Sequence, residues 1–378
     1  MKRSEERILT THTGSLPRPQ HLIDLVYASE AGLADQAELD TLVTESVAAA
    51  VAKQAEVGID VVSDGEMSKI AFNAYAKNRL TGFGGTWQRR VPADVLEHPD
   101  LAERMATTAS RVAMWPMCIG PVEYIGAQAV GVDLANFRGG LQGATSEDAF
   151  LTAASPGAIA VVLGEGYYPS YAAYVQAIGE AMQAEYRAVV DAGFVLQLDA
   201  PDLAMERNLK FTDGSLDDFR RIVGMHIDVL NAAIAGLPKE QLRLHVCWGN
   251  YAGTHHRDVP LKDLLDLFLQ ANVGALSIEA SNPRHEHEWR LFEDVKLPTD
   301  MLLIPGVIDS CSNYVEHPEL VAERIVRLAK LVGRENLIAG TDCGFATFAR
   351  GGVVAPSVTW RKLAALSEGA AIASRALW

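Results

Sequence analysis

Short apolar runs alternate along this chain with longer stretches of helical periodicity, and that alternation limits the fold more than any other feature. The runs cover residues 7–11, 59–62, 111–118, 194–199, 242–250, 274–279, 301–307 and 336–340. Between them, apolar residues recur at helical spacing over about 36–57, 170–192, 215–235, 261–271, 318–332 and 356–373. Gly58, Gly193 and Gly333 are placed to stop helices, and Ser215 is placed to cap one. Parallel strands need crossover helices, so this order specifies the α/β class. It predicts a single (β/α)8 TIM barrel over residues 1–378. The rival is an open doubly wound sheet. No glycine-rich nucleotide fingerprint follows a strand and no Walker motif occurs, which favours the barrel. The region after the third run is long and Gly-rich. Residues 122–168 are therefore expected to form an elaborated excursion or lid.

Charge and cysteine usage narrow the partners. The net charge of −15 opposes nucleic-acid binding, which relies on Lys and Arg to neutralise phosphates, and opposes a polybasic membrane contact. The charged start of the chain lacks an apolar signal-peptide core, and no apolar run reaches bilayer length. Cys118, Cys247, Cys311 and Cys343 are too few and scattered for a disulfide framework. A reducing, cytoplasmic setting is expected, where thiols remain available as ligands or nucleophiles.

In a barrel the chemistry sits where the strands' C-terminal ends meet. Polar residues collect at those ends: Gly14 and Ser15, Asp64 and Glu66, Gly120, Asp199, His245 and Cys247, Glu279, Asp309, and Asp342 with Cys343. Any one carboxylate just after a strand reads equally well as a helix cap. His245 and Cys247, two apart on a strand, point the same way. Such a pair on its own more often packs than binds, since free cysteine is among the most buried residue types. His245, Cys247, Glu279 and Cys343, from strands five, six and eight, make a plausible tetrahedral Zn2+ set, because thiolate-rich sites suit zinc better than magnesium.

Several motifs recur in order along the chain: Thr10-Thr11-His12-Thr13-Gly14-Ser15-Leu16-Pro17, Asp64-Gly65-Glu66, Gly120-Pro121-Val122, Gln197-Leu198-Asp199-Ala200-Pro201, His245-Val246-Cys247, Ser277-Ile278-Glu279, Pro305-Gly306-Val307-Ile308-Asp309 and Thr341-Asp342-Cys343-Gly344. On these the chain resembles the catalytic, C-terminal barrel of cobalamin-independent methionine synthase. It resembles still more closely the short single-barrel relatives called methionine synthase II. The resemblance implies a zinc-dependent methyltransferase of methionine biosynthesis, in which homocysteine is alkylated through a zinc-bound thiolate. It implies zinc on His245, Cys247, Glu279 and Cys343. It also implies contacts from Gly14, Ser15 and Glu66 to the thiol amino acid, and from Asp199 to its ammonium.

The chain departs from the long enzyme in three places. It carries no counterpart of the N-terminal half, which helps form the folate site, so a polyglutamylated methyl-folate donor is not implied. Cys311 stands where the long enzyme has a proton-donating His, so the expected catalytic groups are Glu66, Asp199 and Cys311. The run 248–256 is longer and richer in His, which suits either a different pocket or a solvated loop. The same short barrels include epoxyalkane–coenzyme M transferases, which open epoxides with a zinc-bound thiolate. A sulfonate thiol would call for cations, for which Arg18 and Arg284 are the candidates; Glu66 and Asp199 favour an ammonium-bearing thiol. A non-catalytic zinc- or thiol-binding barrel is the third reading. The expected partners are a small-molecule thiol and an alkyl donor, with no nucleic acid and no membrane; a homo-oligomer is compatible with this reading.

Overall fold

The computed structural model describes residues 1–108 and 114–378. Its strands, in chain order, are β1 (Leu9–Thr10), β2 (Val61–Ser63), β3 (Phe83–Gln88), β4 (Met114–Cys118), β5 (Asp148–Ala154), β6 (Val195–Asp199), β7 (Leu242–Val246), β8 (Ala275–Glu279), β9 (Leu302–Ile308) and β10 (Ile338–Thr341). Eight of them form one sheet in the order β1-β10-β9-β8-β7-β6-β5-β2, with every neighbouring pair parallel. The two ends of that order meet. The Thr10 carbonyl accepts from the Asp60 N–H at 3.2 Å, and Thr11 Oγ1 donates to the Val61 carbonyl at 3.1 Å. The sheet is thus a nearly closed (β/α)8 barrel, as the alternation requires.

The third barrel strand is not where the periodicity puts it. Residues 114–118 form β4, which pairs antiparallel with β3 in a separate two-stranded hairpin. Residues 111–113 of that expected strand lie outside the described residues. The third barrel strand is β5, inside the stretch 122–168 expected to be an excursion, which also holds helices Ala127–Gly140 and Pro156–Val162. The elaboration therefore follows strand two. The physical reason is composition. β4 offers Trp and Met, which look strand-like, but Pro116 confines it to an edge. β5 is Ala-rich and signals weakly, yet β2 and β6 pair with it along its length.

Strand alternation divides the core. Leu196, Leu198, Leu242, Leu244, Val246, Leu276 and Ile278 point outward into the main apolar cluster beneath the helices. Each such side chain contributes about 1.5–3 kcal/mol on burial. Inside the barrel the apolar residues form small clusters: Leu9, Ala275, Leu302, Ile304 and Ile338, and Val61, Phe150 and Val195. A polar layer also lies in the interior. Arg243, 1% exposed, stacks its guanidinium 3.5 Å from the Phe150 ring centroid. It donates to Gln197 Oε1 at 2.7 Å, Thr11 Oγ1 at 3.1 Å and the His12 carbonyl at 2.9 Å.

The helices begin where local chemistry lets them. Asp35 accepts from the N–H groups of Ala37 and Glu38 to start Gln36–Glu56, and Ser170 caps Tyr171–Asp191. Ser215 and Asp218 form a reciprocal capping box on Leu216–Ala233. Pro318–Val332 starts on its own proline and stops at Gly333. The expected helix over 261–271 is instead a 3-10 turn, Leu261–Asp263, followed by one α-turn, Leu265–Phe268. No helix among the described residues is long and apolar enough to cross a membrane.

Candidate active site and metal centre

Three of the four expected metal ligands converge. His245 faces the barrel interior two positions beyond Arg243, Cys247 follows just past β7, and Cys343 follows just past β10. One nitrogen of His245 and the two sulfurs lie within 4.8 Å of one another, and all three residues are buried. The Cys343 thiol donates to the Cys247 sulfur at 3.9 Å, which keeps a proton on Cys343 and favours thiolate on Cys247. Burial lowers the His245 pKa to about 4, so its ring is neutral. Its Nδ1 faces Ser277 Oγ at 3.4 Å, while its Nε2 is buried with no hydrogen-bond partner. An orphaned imidazole lone pair beside two sulfurs fits zinc, both in donor type and in the side-chain hydrogen bond on the other ring nitrogen.

Glu279, the fourth expected ligand, is not in that cluster. Its Oε1 accepts from the Trp248 N–H at 2.9 Å and its Oε2 from Asn282 Nδ2 at 2.7 Å. Burial, and then the neighbouring Cys247, push its pKa well up. Three other strand-end carboxylates turn out to hold backbone. Asp64 accepts from the Glu66 N–H and Asp309 from the Cys311 N–H. Asp342 accepts from the N–H groups of Ala280, Ser281 and Asn282.

The expected substrate residues surround the same centre. A cavity of about 220 Å³ is lined by Ser15, Glu66, Asp199, His245, Cys247 and Cys343, among others. Asp199 sits in register with His245 across β6 and β7. Its Oδ1 accepts from Gln197 Nε2 at 2.6 Å, and burial raises its pKa to about 7. Glu66 adopts φ +58°, uncommon for a residue with a Cβ. Its Oε1 accepts from Thr152 Oγ1 at 2.8 Å, and its Oε2 is buried without a partner. Gly14, at φ +132°, has no room for a side chain: a Cβ would stand 2.5 Å from Thr152 Cγ2 and 3.1 Å from Glu66 Oε1. The Ser15 carbonyl accepts from the Phe345 N–H at 2.9 Å, which ties this turn to the loop carrying Cys343.

Cys311 lies on the other side. It lines a second cavity of about 460 Å³ with Glu279 and Arg284; Gly249, Tyr251 and Cys343 line both cavities. Its thiol donates to Asn250 Oδ1 at 3.1 Å, and burial pushes its pKa well above the ordinary thiol value. Arg18 is structural, donating to the carbonyls of Ala346 and Glu66. Sequence reasoning missed the supports. Arg243 holds Gln197, which holds Asp199. His12 Nδ1 accepts from the Gly14 N–H at 3.1 Å, with Nε2 facing Gln54 Oε1 at 2.7 Å. Arg243 and Gln197 were detectable as polar residues at inward positions of otherwise apolar strands; for Gln54 there was no such signal.

A sequence profile described as cobalamin-independent synthase, catalytic domain, matches residues 167–364. The chain is 24% identical over 369 residues to a methionine synthase of Thermococcus kodakarensis, covering 97% of this chain and 94% of that protein. It is also 24% identical over 338 residues to a methionine synthase of Sulfolobus acidocaldarius, covering 89% and 85%. The structure of a B12-independent methionine synthase from Shewanella sp. W3-18-1, in complex with selenomethionine, superposes with a TM-score of 0.75 at 21% identity, covering 98% of this chain and 99% of that one. That last likeness is one of fold.

Proposed function

This chain belongs to the family of the cobalamin-independent synthase catalytic domain, and from that premise we propose that it transfers a methyl group to the sulfur of homocysteine, forming methionine. The observation that carries this reading is a single cavity. In it the unpartnered His245 Nε2 and the Cys247 and Cys343 sulfurs stand beside two buried carboxylates, Glu66 and Asp199. The methionine synthases that cover nearly the whole chain support it.

His245, Cys247 and Cys343 would hold Zn2+, with Glu279 as the fourth donor, already oriented by Trp248 and Asn282. When bound, such a metal keeps a coordinated thiol deprotonated at neutral pH, which makes it a nucleophile. The chain's own groups do the rest. Glu66 Oε2 and the Asp199 carboxylate accept from the substrate ammonium, in charge-assisted hydrogen bonds. The ammonium's arrival favours the charged form of Asp199, offsetting the burial that raises its pKa. Gly14 and Ser15 meet the carboxylate end. Cys311 holds its proton on the Asn250 side of the centre, and a thiol that weakly acidic serves leaving groups that need little acid help. A sulfonate would meet like charges at Glu66 and Asp199; of the two arginines that also line this cavity, Arg89 pairs with the buried Glu206 and Arg90 is mostly exposed beside Asp213.

Cys343→Ser tests the reading. Metal content and homocysteine methylation should fall together, with turnover down by about a thousandfold or more, roughly 4 kcal/mol of transition-state stabilisation. A variant that kept full zinc and full turnover would refute the site.

A further inference from the structure

The His-rich loop after β7 exposes Ala252, Thr254, His256 and Arg257 but turns His255 inward onto the buried Asp258. His255 Nδ1 faces Asp258 Oδ2 at 2.8 Å and its Nε2 faces the Tyr251 carbonyl at 3.0 Å. His285, 27 positions on from Asp258, faces the same Asp258 Oδ2 through Nε2 at 3.1 Å and Glu288 Oε2 through Nδ1 at 2.8 Å. All four ring nitrogens thus meet acceptors, and only an imidazolium donates from both. The His285 ring stacks on the Trp248 indole with centroids 4.1 Å apart; the indole Nε1–H donates to the Val259 carbonyl at 2.7 Å, and the backbone N–H of the same residue holds Glu279 Oε1. His255 adopts φ +53°, a strained backbone for a residue with a Cβ, and lines the second cavity with Glu279 and Cys343.

We propose that His255, Asp258, His285 and Glu288 form a clamp that works only with both rings charged: it orients Trp248 and, through it, Glu279, and so sets the affinity of the metal centre. The inference rests on the ligand set proposed above. The charge count gives the reason. Two imidazoliums cancel the charges of Asp258 and Glu288, and Asp94, which accepts from the His255 backbone N–H at 2.8 Å, is a further carboxylate against the same loop beside the two cysteine sulfurs and Glu279. A neutral ring at either position leaves a further net negative charge beside them and removes one of the bonds that fix the loop. His255 and His285 are positioning residues, since they act through Trp248. The raised pKa values of both rings agree with the geometry: burial opposes the charge, but Asp258 outweighs it for His255 (about 9), and Asp258 and Glu288 outweigh it for His285 (about 10).

The test is Zn2+ affinity of the full chain by competition with a chromophoric chelator, with Co2+ absorption as the probe of ligand geometry. His255→Gln and His285→Gln should each weaken Zn2+ by about 10- to 100-fold and alter the Co2+ ligand-field bands. His255→Lys, which keeps the charge at the more exposed of the two positions, should restore the affinity. Native circular dichroism is the control; if His285→Gln fails it, the His255 pair decides. Wild-type affinity and spectra in the Gln variants would overturn the clamp, as would a Lys variant as weak as its Gln counterpart. A wild-type chain that binds neither metal would overturn the ligand set together with the clamp, which separates the two failures.

Discussion

Asp199 carries more of the substrate preference than its single bond suggests. It is held from behind by Gln197 and Arg243, so it cannot swing away from the cavity it lines. An ammonium offered there gains charge-assisted bonds, and hydrogen bonds to charged groups are worth roughly 1.5–3 kcal/mol. Asp199→Asn keeps the shape and removes the charge. It should raise the KM for homocysteine about 10- to 150-fold while kcat moves far less, since the ammonium is remote from the reacting sulfur. A thiol of the same length without the amino group should be handled equally by both proteins. Equal KM values for homocysteine would remove Asp199 from substrate binding.

At the scale of the element, the loop between β7 and the turn at Leu261–Asp263 has its own pH dependence. His255 and His285 have folded-state pKa values of about 9 and about 10 against an ordinary 6.5. A raised folded pKa contributes stability that is fully present below the unfolded value. That contribution declines as pH climbs from 6.5 and is gone once pH passes the folded values. Amide hydrogen exchange in residues 248–258 should therefore accelerate, beyond its intrinsic base-catalysed rise, between pH 6.5 and about 10. Corrected rates that stay flat across that window would show that the rings are not charged in the folded state.

At the scale of the whole molecule, the helical layer is packed closely enough to reverse an ordinary propensity rule. Gly369 lies inside helix Pro356–Leu377, where Ala is normally favoured over Gly by about 1 kcal/mol. A Cβ there would stand 2.5 Å from Val321 Cβ, on helix Pro318–Val332, and 2.9 Å from the Pro318 carbonyl oxygen. Gly369→Ala should therefore destabilise the fold by about 1–3 kcal/mol, the cost of overpacking, and lower the urea midpoint. A raised midpoint would mean that the two helices part without penalty.

The sequence by itself determined what depends on a few neighbouring residues. Strand and helix alternation specified the barrel, because side-chain period is a local property. The cap at Ser215 and the stop at Gly333 were legible for the same reason. So was the inward pairing of His245 with Cys247, two apart on one strand end. Tertiary structure alone decided what depends on partners far along the chain. It made β5 a barrel strand by lending it β2 and β6, and it placed the strand-like β4 in a hairpin outside the barrel. It assigned Asp342 to the turn after β8 and left Glu279 outside the tight ligand cluster, held by Trp248 and Asn282. It joined His255 and His285 through one carboxylate. No local pattern encodes such contacts, because a buried polar atom takes whichever partner the closed barrel brings within reach.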